Sequence, residues 1–194
     1  MRIVTHHPAA ARWIPTKAWS FFAYPVTPAD PVISDLAPGF AADLNITNLL
    51  RNIFNHASFQ STAARTGRVR TPVEWMVQTM RTLGLTANDN TVYQLAVLQH
   101  IPFRPPNVAG WPNNNYWLST ASALDRVRVA QSLATAGNTA AVDNATPSAR
   151  AAACAAMLGI EAWTPRTAAA LDTVRNESKS VVALALVSPE YTVN

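Results

Sequence analysis

Thr71-Pro72-Val73-Glu74-Trp75-Met76-Val77-Gln78-Thr79-Met80-Arg81-Thr82-Leu83-Gly84 is the stretch whose reading decides the fold class. A threonine followed by proline, with glutamate three residues on, is a capping box with proline at the first helical position. The Thr71 hydroxyl can take one orphan backbone N–H, and the Glu74 carboxylate can reach back to the cap. The missing N–H of proline costs nothing there. Behind the cap, Val73, Trp75, Met76, Val77, Met80 and Leu83 recur at three- and four-residue spacing, and Gly84 ends the run. The pattern predicts a helix with one face buried in a core.

The same punctuation recurs on both sides. His7-Pro8 opens a segment whose Trp13, Ile14, Lys17, Ala18 and Phe21 fall at helical spacing; Pro15 inside it predicts a kink, or a new helix starting near Ile14. Pro25, Pro28 and Pro31 form a stiff connector before a short helix through Ile33, Leu36 and Phe40, with Pro38 and Gly39 working against it. Asn45 is placed to cap a helix carrying Ile46, Leu49, Leu50, Ile53 and Phe54 and ending near His56. Residues 91–99 read as a helix burying Val92, Leu95, Ala96 and Leu98. Ser119 caps another through Leu124, Val127, Val129 and Leu133, closed by Gly137, and residues 138–145 read as a short, polar, mobile connector. Thr146-Pro147 opens an alanine-rich helix stopping at Gly159, and Thr164-Pro165 opens the next. Residues 180–187 form a last apolar helix before Ser188-Pro189-Glu190-Tyr191. No fixed-period repeat links these segments, which excludes a solenoid. The expected fold is all-α: an irregular multi-helix bundle of about eight helices in one domain spanning 1–194, with one long ordered loop near 100–118.

Composition agrees with that class. The 194 residues are 49% hydrophobic and 13% charged, with fourteen prolines against six glycines; this suits helices punctuated by proline and excludes a disordered tail. A single cysteine, Cys154, excludes an internal disulfide framework and a multi-cysteine zinc site. No stretch approaches the roughly 18–20 apolar residues of a membrane span, and Met1-Arg2-Ile3-Val4-Thr5-His6-His7-Pro8 lacks the apolar run of a signal peptide. The formal charge is +4, and thirteen of the fifteen basic residues are arginine. The one local cluster, Arg65, Arg68 and Arg70, has no aromatic neighbour, which speaks against a nucleic-acid partner.

Residues able to do chemistry are sparse. His6, His7, His56 and His100 show no metal-ligand spacing, so neither metal nor cofactor is expected. No nucleophile elbow, phosphate-binding glycine loop or dinucleotide fingerprint occurs. Cys154 sits among alanines as a small buried hydrophobe, and the four glutamates are scattered, Glu74 being committed to its cap. Residues 100–118 are the exception. There Trp111, Tyr116 and Trp117 could stack on sugar rings or a peptide while Asn107 and Asn113 to Asn115 offer hydrogen bonds. Equally, the tryptophans could anchor the loop to the helical body while the asparagines serve its turns.

Several segments, in order, carry a specific likeness: His7-Pro8-Ala9 with Lys17-Ala18-Trp19-Ser20-Phe21-Phe22; Ile53-Phe54-Asn55-His56-Ala57-Ser58-Phe59; Val69-Arg70-Thr71-Pro72-Val73-Glu74; Pro102-Phe103-Arg104-Pro105-Pro106-Asn107-Val108-Ala109-Gly110-Trp111-Pro112 with Trp117; Leu124 and Arg126; and Leu186-Val187-Ser188-Pro189-Glu190-Tyr191. Together they resemble the C-terminal part of the bacterial family catalogued as domain of unknown function 1800. The resemblance implies a largely helical protein of undetermined activity, exported or in the cell envelope, corresponding to the C-terminal half of longer relatives. Such relatives are often encoded beside a second family that resembles sulfatases. Gln99-His100 and Asn113-Asn114-Asn115 depart from the family's usual glycine-containing sequences on either side of its Pro-Pro-Asn-Val-Ala-Gly-Trp-Pro string.

Two functions lead at this level, with nucleic-acid binding through Arg65, Arg68 and Arg70 a third and less favoured one. One is a non-catalytic helical interaction or structural module, whose partner is a protein: the N-terminal half of such a relative or a separately encoded chain. The alternative is part of a hydrolase-like or carbohydrate-acting site completed by that half, with Lys17, His56, Glu74, Arg104, Asn107, Trp111 and Trp117 as ligand-binding residues.

Overall fold

The computed structural model describes Ile3 and residues 6–193. Among them are twelve α-helices and three short 3-10 turns; the sole extended pairing is an isolated antiparallel bridge between Val69 and Val193. The all-α class stands. The count exceeds eight because Thr62–Thr66, Ala140–Asp143 and Pro189–Thr192 are helices of little more than one turn, too short to leave a periodic signature. The chain packs as two compact units, one within the residues up to Arg68 and the other Val69–Val193.

In the first unit, α1 (Pro8–Phe22), α2 (Pro31–Asp43) and α3 (Ile46–Asn55) surround Trp19, with α4 (Thr62–Thr66) following a 3-10 turn at Ala57–Gln60. The His7 ring nitrogen caps α1 by accepting the Ala9 N–H. Contrary to expectation, Pro15 starts no new helix: α1 runs through it as one element with Pro15 buried. The bond Pro15 cannot make is forfeited, while one residue on the Thr16 hydroxyl donates to the Arg12 carbonyl at 2.7 Å. Likewise α2, thirteen residues in all, continues past Pro38 and Gly39 to Asp43, because Val32, Ile33, Leu36, Ala37 and Phe40 form one buried stripe. Asn45 caps α3 as its sequence implies, accepting the Asn48 N–H. Leu49 and Ile53, both fully buried, each contribute about 1.5–3 kcal/mol of apolar transfer.

In the second unit, α5 (Pro72–Thr82) carries the complete capping box: Thr71 accepts from the Glu74 N–H, and Glu74 Oε2 accepts the Thr71 N–H at 2.9 Å. It is followed by α6 (Asp89–Val97), α7 (Thr120–Ala136), α8 (Ala140–Asp143), α9 (Arg150–Leu158), α10 (Pro165–Thr173), α11 (Ser178–Leu186) and α12 (Pro189–Thr192). The most extensive helix pair is α7 against α11. Trp75, wholly buried on α5, donates its indole N–H to the Leu186 carbonyl at 2.7 Å, tying α5 to the end of α11. Thr79 of α5 and Tyr191 of α12 share a buried hydroxyl–hydroxyl bond of 3.1 Å. At the ends of this unit the Arg70 N–H donates to the Thr192 carbonyl at 2.9 Å, beside the Val69–Val193 bridge.

Three expectations change here. On α6, Val92 and Ala96 are exposed, and the buried row is Thr91, Gln94, Leu95 and Leu98. Gln94 is held inward by its amide bond to the Ser132 hydroxyl at 3.1 Å. On α7, Leu124 and Val127 face outward, and the buried row is Arg126, Val129, Ala130, Leu133 and Ala134. Residues 138–145 are not a bare connector: α8 buries Val142 completely. The Thr139 hydroxyl joins Asp143 at 2.8 Å and accepts from Lys179 at 2.6 Å, while the Ser178 hydroxyl donates to Asp143.

Candidate functional site

The segment between α6 and α7 lies wholly in the second unit. Gln99 leaves α6 in a left-handed conformation, φ 58°, and the His100 N–H returns to the Leu95 carbonyl at 2.9 Å. Phe103, Gly110 and Asn114 also have positive φ, so the chain advances as a series of tight turns. One is an Asx turn, in which the Asn107 side-chain Oδ1 accepts the Ala109 N–H at 2.8 Å. The Asn114 side chain accepts the Val69 N–H at 3.2 Å.

The aromatic groups of this segment divide between inside and outside. His100, 7% exposed, stacks on Trp117 with ring centroids 5.1 Å apart and planes within 11°, and Trp111 lies 4.4 Å from the same ring. Trp117 is buried and donates its indole N–H to the Pro112 carbonyl at 2.9 Å. Burial lowers the His100 pKa, the Glu74 charge acting in the opposite sense. Its Nδ1 is buried with no hydrogen-bond partner. Phe103, Arg104, Asn107 and Val108 form the outward side, with Phe103 and Val108 fully exposed.

The remaining candidate residues have the following surroundings. Lys17, in the first unit, is exposed with its ammonium 4.6 Å over the Trp13 ring. His56, in the same unit, caps the 3-10 turn through Nδ1, which accepts the Ser58 N–H at 3.1 Å, while Nε2 lies 3.4 Å from Asp35. Its ring stands edge-on to Trp19 at 5.4 Å. Glu74, in the second unit, completes the capping box. The second unit thus gathers Trp111 and Trp117 around His100, whereas Arg104 and Asn107 lie on the solvent side of the same loop.

Other reactive groups are held in structural roles. Burial pushes the Cys154 thiol up to about 12. Burial also raises the Glu190 pKa, but bonds from the Thr164 N–H at 2.9 Å and the Thr167 hydroxyl at 3.0 Å outweigh it and leave it lowered. Among the described residues no group of three or more His, Cys, Asp or Glu could hold a metal ion, and no helix is long and apolar enough to cross a membrane.

Two features escaped the sequence reading. The first is an exposed aromatic run in the first unit: Phe21 packs on Phe22 at 4.9 Å, Phe22 on Phe54 at 5.2 Å, and Phe54 on Phe59 at 5.3 Å. Phe21 is 63% exposed and Trp13, about two turns earlier on α1, 54%. The second is Arg126, buried in the second unit. Its Nη2 donates to the Arg70 carbonyl at 2.7 Å, and the guanidinium carbon lies 5.8 Å from the Trp75 ring centre. A signal for it existed, since Arg126 occupies the i, i+3, i+4, i+7 row shared with Val129, Ala130 and Leu133.

Comparison with known proteins adds a family. No curated protein and no solved structure matches the chain. The family model described as Protein of unknown function (DUF1800) matches residues 1–193. Because the match runs over essentially the whole sequence, this chain belongs to the DUF1800 family.

Proposed function

We propose that the chain is a non-catalytic helical interaction module that docks a protein partner through the aromatic face of α1 and α3. The observation that carries this is the run Phe21, Phe22 and Phe54, left in solvent although each ring touches the next. Single exposed apolar residues are ordinary, but a contiguous patch rich in aromatics is characteristic of protein contact surfaces. Further support comes from the groups that might have done chemistry. His56 and Glu74 cap helices, Glu190 anchors the start of α10, and Cys154 is a buried neutral thiol. Given the export implied by the sequence resemblance, the partner is a cell-envelope protein.

A photo-activated benzophenone side chain at position 21, in the source bacterium, tests this. The expected result is a discrete adduct with a second polypeptide, reduced in a Phe22→Ser, Phe54→Ser background that keeps its helical circular dichroism. The same probe at Tyr93, equally exposed but on α6, gives the background. Adduct formation at position 21 no greater than at position 93 overturns the proposal.

A further inference from the structure

A pocket of about 240 Å3 lies in the second unit, where the end of α6, the 3-10 turn at Asn114–Leu118 and the start of α7 meet. Leu98 and Trp117, both buried, are its apolar part. Ser119, the cap of α7, is followed at intervals of three by Ser122 and Asp125, which puts the three on one face; Gln99 and Tyr116 complete the lining. Much of the bonding capacity here is unspent. The Asp125 side chain is only 19% exposed, yet among the described residues no donor comes within hydrogen-bond distance of it, and its ion pair with Arg128 is 3.7 Å long. The Gln99 amide, on a residue held left-handed at φ 58°, also has no partner among the described residues. The Ser119 oxygen accepts the Ser122 N–H at 3.2 Å and keeps its own proton to give, whereas the Ser122 hydroxyl is committed to the Trp117 carbonyl. Tyr116 is 57% exposed, its ring plane at 85° to that of Trp117, which leaves ring surface open to a ligand.

A carboxylate largely withdrawn from water and short of donors favours a ligand that brings them. Charge narrows the class. An anion would meet the charge of Asp125, and a cation would compete with Arg128, which already offsets that charge in part. What remains is a neutral molecule rich in hydroxyls with an apolar face, which is the chemistry of a sugar ring: O–H groups around the edge and C–H groups on the face that rests on an aromatic ring. The volume falls below the range of about 300–1,000 Å3 usual for drug-sized ligands, so a single ring is the size it takes. From this combination we infer that the pocket binds one neutral pyranose, with Asp125 accepting from its hydroxyls, Gln99 and Ser119 bonding beside it, and Tyr116 stacking on its face. The site lies within the second unit and is independent of the aromatic face proposed above for protein contact.

Saturation-transfer NMR on the full chain with glucose, galactose, mannose and N-acetylglucosamine tests the assignment, with n-butylammonium and acetate as the cationic and anionic controls. At least one of the four sugars should bind, and more tightly than either control. Asp125→Asn should weaken that sugar about tenfold, the loss expected for a charge-assisted bond. Tyr116→Ala should weaken it as well, whereas Tyr116→Phe, which keeps the ring, should not. Tyr116 lies on the 3-10 turn, so its variants probe the pocket without altering α7, and an unchanged melting temperature shows that each variant is folded. Arg128→Gln, by freeing the charge of Asp125, should raise the affinity for n-butylammonium. Failure of all four sugars to bind, tighter binding of n-butylammonium than of any sugar by the unaltered protein, or undiminished sugar binding by folded Asp125→Asn and Tyr116→Ala proteins would each overturn the inference.

Discussion

Removing the Tyr191 hydroxyl offers a measurement of how the end of the chain is fastened to α5. In Tyr191→Phe the ring keeps its place beneath Arg70, whose guanidinium carbon lies 4.6 Å from the ring centre, and no cavity is made. What disappears is the 3.1 Å bond to Thr79. A neutral hydrogen bond contributes about 0.5–1.5 kcal/mol net, but stranding its partner costs about 1–3 kcal/mol. Thr79 is wholly buried, so its abandoned hydroxyl stays dry. The expected loss is therefore about 1–2 kcal/mol, a fall of roughly 4 °C in melting temperature for each kcal/mol in a unit of this size. Thr79→Val should cost about the same by the same reasoning. The double variant strands nothing and should cost less than the sum by about 1 kcal/mol, as measured by urea denaturation in a double-mutant cycle. Burial raises the Tyr191 pKa against the opposing effects of Thr79 and Arg70. The stability linked to that shift is full below the unfolded value near about 10 and is lost as pH rises through the folded one. Tyr191→Phe should accordingly flatten the alkaline limb. Strict additivity of the two single variants, with an unchanged alkaline limb, would refute the reasoning.

Four further outcomes follow from the geometry. Gly39→Ala should stabilise by about 0.5–1 kcal/mol, since the glycine lies within α2 and an added Cβ meets only Asn52 Nδ2 at 3.8 Å. Gly137→Ala should instead destabilise by about 1–3 kcal/mol, its Cβ falling 2.6 Å from that of Leu83; thermal melts of the pair check the contrast in sign. Cys154 should resist a thiol reagent at pH 8 until the protein unfolds. Because its folded pKa is raised from 9.0 to about 12, its share of stability is present below pH 9 and drains away as the pH climbs toward 12, which Cys154→Ala should abolish in alkaline denaturation. Thr71→Ala should cost about 1 kcal/mol by removing the cap of α5, with a matching rise in amide exchange at Glu74.

Helix starts were the most readable part of the sequence because a cap is a local device. Thr71, Asn45, Ser119 and Thr164 each accept the backbone N–H their spacing implies, three residues on. Which face of a helix is buried depends on partners distant in sequence, which periodicity alone does not supply. Periodicity places Leu95 and Leu98 inside, as they are, but also Val92 and Ala96, whose places are taken by Thr91 and by Gln94, bonded to Ser132 across thirty-eight residues. Residues 100–118 were legible as an ordered loop, while the inward collapse of Trp111 and Trp117 onto His100 requires left-handed Gln99, Phe103 and Asn114, none of them glycine. Arg126 was hidden for the opposite reason. An arginine in an apolar row looks like an interruption of the row until its bond to the Arg70 carbonyl is seen.

The clasp between residues 69–70 and 192–193 has a topological consequence. A body whose first and last residues are hydrogen-bonded to one another is a ring with a single cut, and the position of that cut is a matter of chain order rather than of packing. Joining residue 193 to residue 69 through a short glycine linker and opening the backbone at the solvent-facing turn between Phe103 and Val108 leaves every helix pairing of the unit available in the new order. The two former ends, now continuous, would hold Tyr191 over α5 by covalent connection as well as by its hydroxyl.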